Sequence, residues 1–289
     1  MFKIILEKIL PLYILIFVGF LFGKRKKYDL SYVSDIVLYF FSPILVFVSF
    51  YKLEINFPVF NLILANISYI FLSLFLLSYF FKKIYKEKYK AIALSLTFSN
   101  VAYLGLPLVY FLYGEKGFNI AIINFIVISI LHFSLGLYFL TGRVKDVFKL
   151  PFIFAVVLAM LFKKLKIVIS ASFMNLLELT GKSSLPLMLT TLGTRLSQVK
   201  FEDIKYAFIL SIFKVFFSFI LLLFISKIFS LPGIIKNIFI LQNILPSAIL
   251  NYVFCEKYNQ SPSLVSSIVF FSTLLSFFYI PIILILLKI

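Results

Sequence analysis

The chain has 289 residues, of which 63% are hydrophobic and 13% charged. Soluble domains run at roughly 45–50% apolar and about 25% charged, so a soluble enzyme is excluded and the bilayer becomes the expected solvent. The 28 Lys and Arg against 11 Asp and Glu give a net charge of +17, but the basic residues sit mainly between apolar runs, as membrane anchors do, so nucleic acid is not expected as a partner. A single cysteine, Cys255, and a single histidine, His132, leave no internal disulfide and no multi-histidine or multi-cysteine centre, so neither metal nor cofactor is expected.

In chain order, apolar runs of the length that crosses the hydrocarbon layer fall at 5–22, 33–50, 59–81, 91–113, 118–140, 147–162, 171–196, 206–229, 234–254 and 264–287. The first ends in Lys24, Arg25, Lys26 and Lys27 instead of a small-residue cleavage site, so it reads as a span and not as a signal peptide. The sixth is short and the seventh long, with their boundary near Lys163, Lys164 and Lys166. Runs this long and unalternating do not suit barrel strands, so an all-α integral membrane protein of about ten transmembrane helices is expected. Connections after odd-numbered runs hold 16 Lys and Arg, against 10 in the other connections and the termini. The positive-inside rule then places the former in the cytoplasm and both termini outside the cell membrane.

The second half echoes the first. Asp35, Pro43 and Lys52 have chemical counterparts in Glu178, Pro186 and Arg195, each 143 residues later; Pro107 pairs with Pro246 and Tyr113 with Tyr258 at similar offsets. Two five-span repeats, 1–141 and 147–289, are expected, and because five is odd the second copy would be inverted in the membrane.

The strongest local signal is the stretch Ser99, Asn100, Val101, Ala102, Tyr103, Leu104, Gly105, Leu106, Pro107 in the fourth run. It is matched by Gln242, Asn243, Ile244, Leu245, Pro246, Ser247, Ala248 in the ninth. Proline deep in a helix removes a backbone hydrogen bond, and beside glycine or small polar residues it leaves free backbone groups that hydrocarbon tolerates only against a cavity or ligand. Two such sites with a neighbouring asparagine predict crossed, broken fourth and ninth helices around a midplane substrate site. Its expected residues are Ser99, Asn100, Gly105, Pro107, Asn243, Pro246 and Ser247.

These stretches, together with "SPILVF" in the second run, "LPLMLTTLGTRLSQ" in the seventh and "VFFSTLLSFFYIPIILILL" in the tenth, resemble the auxin efflux carrier family of membrane transporters. The resemblance spans nearly the whole chain in order. It implies a scaffold from the first two spans of each repeat, a transport domain from the other three, elevator-like movement and organic-anion cargo. The connection at 141–149 is short where the plant carriers have a long hydrophilic loop, which points to the prokaryotic-type branch and to small carboxylates such as malate or malonate.

Among single residues, Lys214 in the eighth run joins the expected substrate site, because an ionisable group at that depth marks function by default. If it faces the cavity it adds a positive charge for an anion; the alternative is a snorkelling side chain. His132 reads as a packed histidine rather than a proton relay. Asp35 and Glu178 read as structural, with Glu178 four residues before Lys182 in ion-pair register. The expected partners are a small organic anion and the bilayer, with a homodimer a further expectation. The competing readings are a sodium-coupled carrier of the bile acid symporter type and a non-transporting receptor. A membrane enzyme is disfavoured, since neither a clustered-aspartate motif nor Gly-x-Ser-Gly occurs.

Overall fold

The computed structural model describes residues 2–25, 31–52, 57–142 and 151–288. The expected basic connections at 26–27 and 143–149, and the repeat boundary at 147, lie outside them. The elements are α1 (Phe2–Arg25), α2 (Ser31–Asp35), a π-helical turn (Ile36–Phe41), α3 (Ser42–Lys52), α4 (Phe57–Tyr85), α5 (Tyr89–Thr97), α6 (Leu106–Leu131), α7 (Leu137–Thr141), α8 (Pro151–Lys164), α9 (Ala171–Lys182), α10 (Ser184–Ser197), α11 (Ile204–Ile228), α12 (Gly233–Ile244), α13 (Ile249–Lys257) and α14 (Pro262–Leu286). No sheet forms among the described residues.

Four helical stretches among the described residues are long and apolar enough to cross a membrane: Pro58–Thr97, Val101–Thr141, Ile204–Ile228 and Pro262–Leu286. The first two hold 40 and 41 residues. A straight helix of that length would reach about 60 Å, twice the hydrocarbon thickness. Each is instead interrupted, at Lys86 with φ 39° and at Gly114 with φ 62° and ψ −156°. Gly114 occupies backbone space that side-chain-bearing residues rarely adopt, so the chain turns there at no steric cost.

Burial departs from that of a soluble protein, with large apolar side chains outside and polar ones inside a largely apolar core. Asn66, Asn124, Lys214, Gln242 and Asn251 are 0% exposed, whereas Phe75 is 68%, Phe216 66% and Phe278 62% exposed. Apolar faces of α1, α4, α11 and α14 thus look outward while hydrogen-bonding groups collect inside, the distribution that a lipid solvent selects.

Two groups of helices form. In one, α1 lies along α10, and α3 packs on α8 and α9; in the other, α4 packs on α5 and α6, and α11 on α12 and α14. The α1–α10 crossing is tight because it is lined by glycine: a Cβ on Gly193 would overlap the Ile16 carbonyl, and one on Gly19 the Thr190 carbonyl. Thr194 Oγ1 donates to the buried Gly19 carbonyl at 3.1 Å.

Connections gather at two ends. At one, Lys88 reaches Asp203 (3.0 Å) and Glu202 (3.3 Å), Glu202 N–H donates to Ser267 Oγ (2.9 Å), and Ser266 Oγ donates to Lys200 O (2.9 Å). At the other, Tyr51 OH donates to Ile167 O (2.9 Å), Asn61 Nδ2 donates to Phe229 O (3.2 Å), and Lys52 pairs with Glu178. Lys182 joins this end by pairing with Glu115 and, at 3.7 Å, with Glu178. The i,i+4 pair expected from sequence is therefore one link in a larger cluster.

Candidate functional site

α5 stops at Thr97, and the backbone is extended at Phe98 (φ −88°, ψ 116°) before Asn100 (φ −77°, ψ 63°) opens a π-helical turn, Val101–Gly105. α12 stops at Ile244, and Leu245 (φ −53°, ψ 163°) and Ala248 (φ −66°, ψ 140°) are likewise extended. The two breaks cross and pair antiparallel about Ser99 and Ser247. Asn100 N–H donates to Pro246 O at 2.8 Å, and Ala248 N–H donates to Phe98 O at 3.0 Å.

Each of these donors has been taken from its own helix. In an unbroken helix Asn100 N–H would serve Leu96 O, and Ala248 N–H would serve Ile244 O. Unserved carbonyls in a membrane interior cost several kcal/mol, so substitutes are required. Leu96 O accepts from Lys214 Nζ (3.0 Å) and Ile244 O from Tyr279 OH (3.0 Å). Ser247 N–H goes to Ser272 Oγ (3.0 Å), leaving Asn243 O for Ser99 Oγ (2.5 Å). Asn251 Nδ2 adds a bond to Phe98 O (2.9 Å) and one to Ser247 Oγ (3.0 Å).

Beside the crossover lies a cavity of ≈ 270 Å³. One wall is the first turn of each second half-helix, Val101, Ala102 and Tyr103 from one and Ala248, Ile249 and Leu250 from the other, with Ser99 and Asn100 between. A second wall carries Phe125, Ser129, His132 and Phe133; the facing group of helices contributes Asp35, Ser42, Phe152, Met188 and Arg195. Asn100 Oδ1 accepts from Tyr103 N–H (3.1 Å) and caps its half-helix, while Asn100 Nδ2 has no partner among the described residues. His132 stacks on Phe98, with centroids 4.0 Å apart and planes at 4°.

The cavity therefore sits between two groups of helices and against two broken ones. The model of a family described as membrane transport protein matches residues 4–150 and again 140–284. The chain belongs to the auxin efflux carrier family. An uncharacterized transporter of Methanocaldococcus jannaschii is 26% identical over 293 residues, covering 94% of this chain and 95% of the relative. This member of the auxin efflux carrier family is accordingly a membrane-embedded transporter.

Of the residues expected at the carrier's site, Ser99 and Asn100 line the cavity. Pro246 and Ser247 lie in the second break and form the pairing. Asn243 turns away: its Nδ2 donates to Asn66 Oδ1 (3.0 Å) and Phe239 O (2.9 Å), and Asn66 Nδ2 continues to Asn124 Oδ1 (2.6 Å), a buried amide chain across α12, α4 and α6. Gly105 is a contact point, since a Cβ there would come within 2.9 Å of Leu245 Cδ1. Pro107 differs from expectation, because it occupies the first turn of α6, beyond the π turn, where a missing N–H is tolerated. The first break is made at Asn100 without proline. Lys214 is absent from the cavity wall; its Nζ points to Leu96 O and, at 2.8 Å, to Ser99 Oγ.

Sequence reading ranked His132 and Asp35 as structural and gave Arg195 only as the repeat counterpart of Lys52, yet all three line the cavity. For Asp35 and Arg195 the usable signal was their repeat-related charge at the ends of runs.

Proposed function

We propose that the protein is a secondary transporter that moves a small organic anion, a carboxylate, by alternating exposure of the crossover cavity in an elevator-like movement. The observation that carries this reading is that both second half-helices present their N-terminal first turns to one cavity. Helix N-termini hold partial positive charge and undirected N–H groups, and two of them converging favour an anion. Asn100 Nδ2 adds an unused donor at the same wall, and Arg195 lines the cavity from the facing group of helices, with Asp35 also in the lining.

The volume is near the small end of ligand pockets, which run at about 300–1,000 Å³. With Phe125, Phe133 and Phe152 in the lining, a carboxylate on an apolar body suits the site. Ten spans in two inverted repeats account for the grouping of connections at two ends and for the paired breaks. The scaffold then comprises α1, α3 and α8–α10, and the transport domain α4–α7 and α11–α14. On the positive-inside orientation, Asp35 and Arg195 lie at cytoplasmic ends of their runs, which favours a cytoplasmic mouth for the cavity, and the Lys182–Glu115 pair lies at the opposite end.

The test is a thermal-shift screen of purified protein with mono- and dicarboxylates, followed by flux of each hit into proteoliposomes. Ligand binding to the native state raises apparent stability as the ratio of ligand to its dissociation constant grows. Saturable stabilisation by carboxylates, and flux of the same compounds, is expected. Saturable uptake of an organic cation that no carboxylate inhibits would overturn the anion reading.

A further inference from the structure

The crossover has two faces, and only one is explained by cargo. The N-terminal turns of the second half-helices meet the cavity, whereas the C-terminal ends of α5 and α12 meet on the other side, inside the protein. Their carbonyls are directed at one small region: Leu96 O from α5 and Asn243 O from α12, with Ser99 Oγ between them. Each helix C-terminus carries about half a negative charge, so two of them buried together call for a cation. Backbone carbonyls and a hydroxyl are also the oxygen donors that hard metal ions use.

Lys214 Nζ stands in that region. It is 3.0 Å from Leu96 O and 2.8 Å from Ser99 Oγ, and the Ser99 hydroxyl in turn donates a hydrogen bond to Asn243 O at 2.5 Å. The side chain is 0% exposed, and no carboxylate among the described residues pairs with it. A lysine buried this deeply without an acid keeps its charge only if something else supplies negative potential, and the two helix ends are what surrounds it.

We propose that Lys214 is a built-in counter-cation of the crossover, occupying the place that a monovalent metal ion would otherwise take, so that the two broken helices stay paired without an ion from solution. Lys214 is then a positioning residue: it touches Leu96 and Ser99, and through Ser99 it holds the cavity-lining break in place. The inference rests on the crossover geometry and is independent of what the cavity carries.

The test uses the thermal stability of the purified protein in detergent at constant ionic strength, with NaCl, choline chloride or methylammonium chloride as the salt. Wild type is expected to melt at the same temperature in all three. Lys214→Ala should melt several degrees lower in choline and recover saturably in methylammonium, which is small enough to enter the space left by the side chain. Lys214→Met, which fills that space without charge, should stay low in every salt. A Lys214→Met protein as stable as wild type would reduce the lysine to a space filler and overturn the proposal. Recovery of folded Lys214→Ala only when methylammonium is present throughout purification would support it. A saturable, sodium-specific gain in wild-type stability would overturn it whatever the variants do.

Discussion

Asn243 Nδ2 donates to Asn66 Oδ1 across 3.0 Å, whereas Asn100, its counterpart in the first half, leaves Nδ2 unused beside the cavity. Two asparagines that look alike in sequence thus have opposite roles, and one substitution separates them. Asn100→Asp keeps an oxygen to cap Tyr103 N–H but exchanges the spare donor for negative charge. Its stability should stay within about 1 kcal/mol of wild type, while carboxylate-induced thermal shifts disappear. Asn243→Asp turns a carboxylate toward the Asn66 carbonyl and should cost about 1–3 kcal/mol, read from the unfolding midpoint. Equal destabilisation by both changes, with ligand shifts preserved in Asn100→Asp, would remove Asn100 from the site.

The glycine crossing of α1 and α10 gives a packing prediction. Because a Cβ on Gly193 overlaps the Ile16 carbonyl, which is backbone and has no rotamer to escape into, the helices must part. Gly193→Val should cost about 1–3 kcal/mol or more and reduce the yield of monodisperse protein. Gly142→Ala offers the contrast: a Cβ there meets nothing within 4 Å, and its φ of 72° is the only obstacle, so about 1 kcal/mol is expected. A Gly193→Val protein melting with wild type would show that the crossing is looser than described.

Relative movement of the two helix groups can be tested at Lys182 and Glu115, which pair across them. In a Cys255→Ser background, Glu115→Cys with Lys182→Cys should be joined by a short bis-maleimide, and flux should fall at least tenfold (roughly 1.4 kcal/mol in effective barrier). Each single cysteine treated alike should transport normally. Full flux through the joined protein would exclude movement at this contact.

Lys88 links the α4–α5 turn to the connection before α11. Its pKa is raised by the hydrogen bond to Asp203, with Glu202 adding to the effect against partial desolvation. A lysine held above its unfolded value contributes stability that is complete below that value and is lost as pH climbs through the folded one. Stability at this contact should therefore be flat from about pH 6 to about pH 9 and weaken only beyond, with the difference between wild type and Lys88→Met closing at high pH. The three side chains are well exposed, so the effect should be small and should shrink with salt. A difference that grows above pH 11 would contradict the pairing.

The sequence by itself settled the solvent, the helical class and the site of the break. Hydrophobic runs long enough for a bilayer leave backbone groups no partner but their own helix, so composition and run length determine class without tertiary information. The stretches around Asn100 and Pro246 were legible for the same reason, since small polar residues and proline at that depth are costly unless a cavity or a partner answers them. What each polar side chain does there was decided only in three dimensions. Lys214, 115 residues from Ser99 in the chain, faces the helix ends and not the cavity because the breaks expose carbonyls on one side and N–H groups on the other. Asn243 packs because Asn66, 177 residues away, reaches it first, and His132, Asp35 and Arg195 come to the cavity because helices distant in sequence fold around it. Hydrogen bonds between neighbours in space carry no trace in a local pattern, so the chain could announce that its buried polar groups needed partners, and only packing could name them.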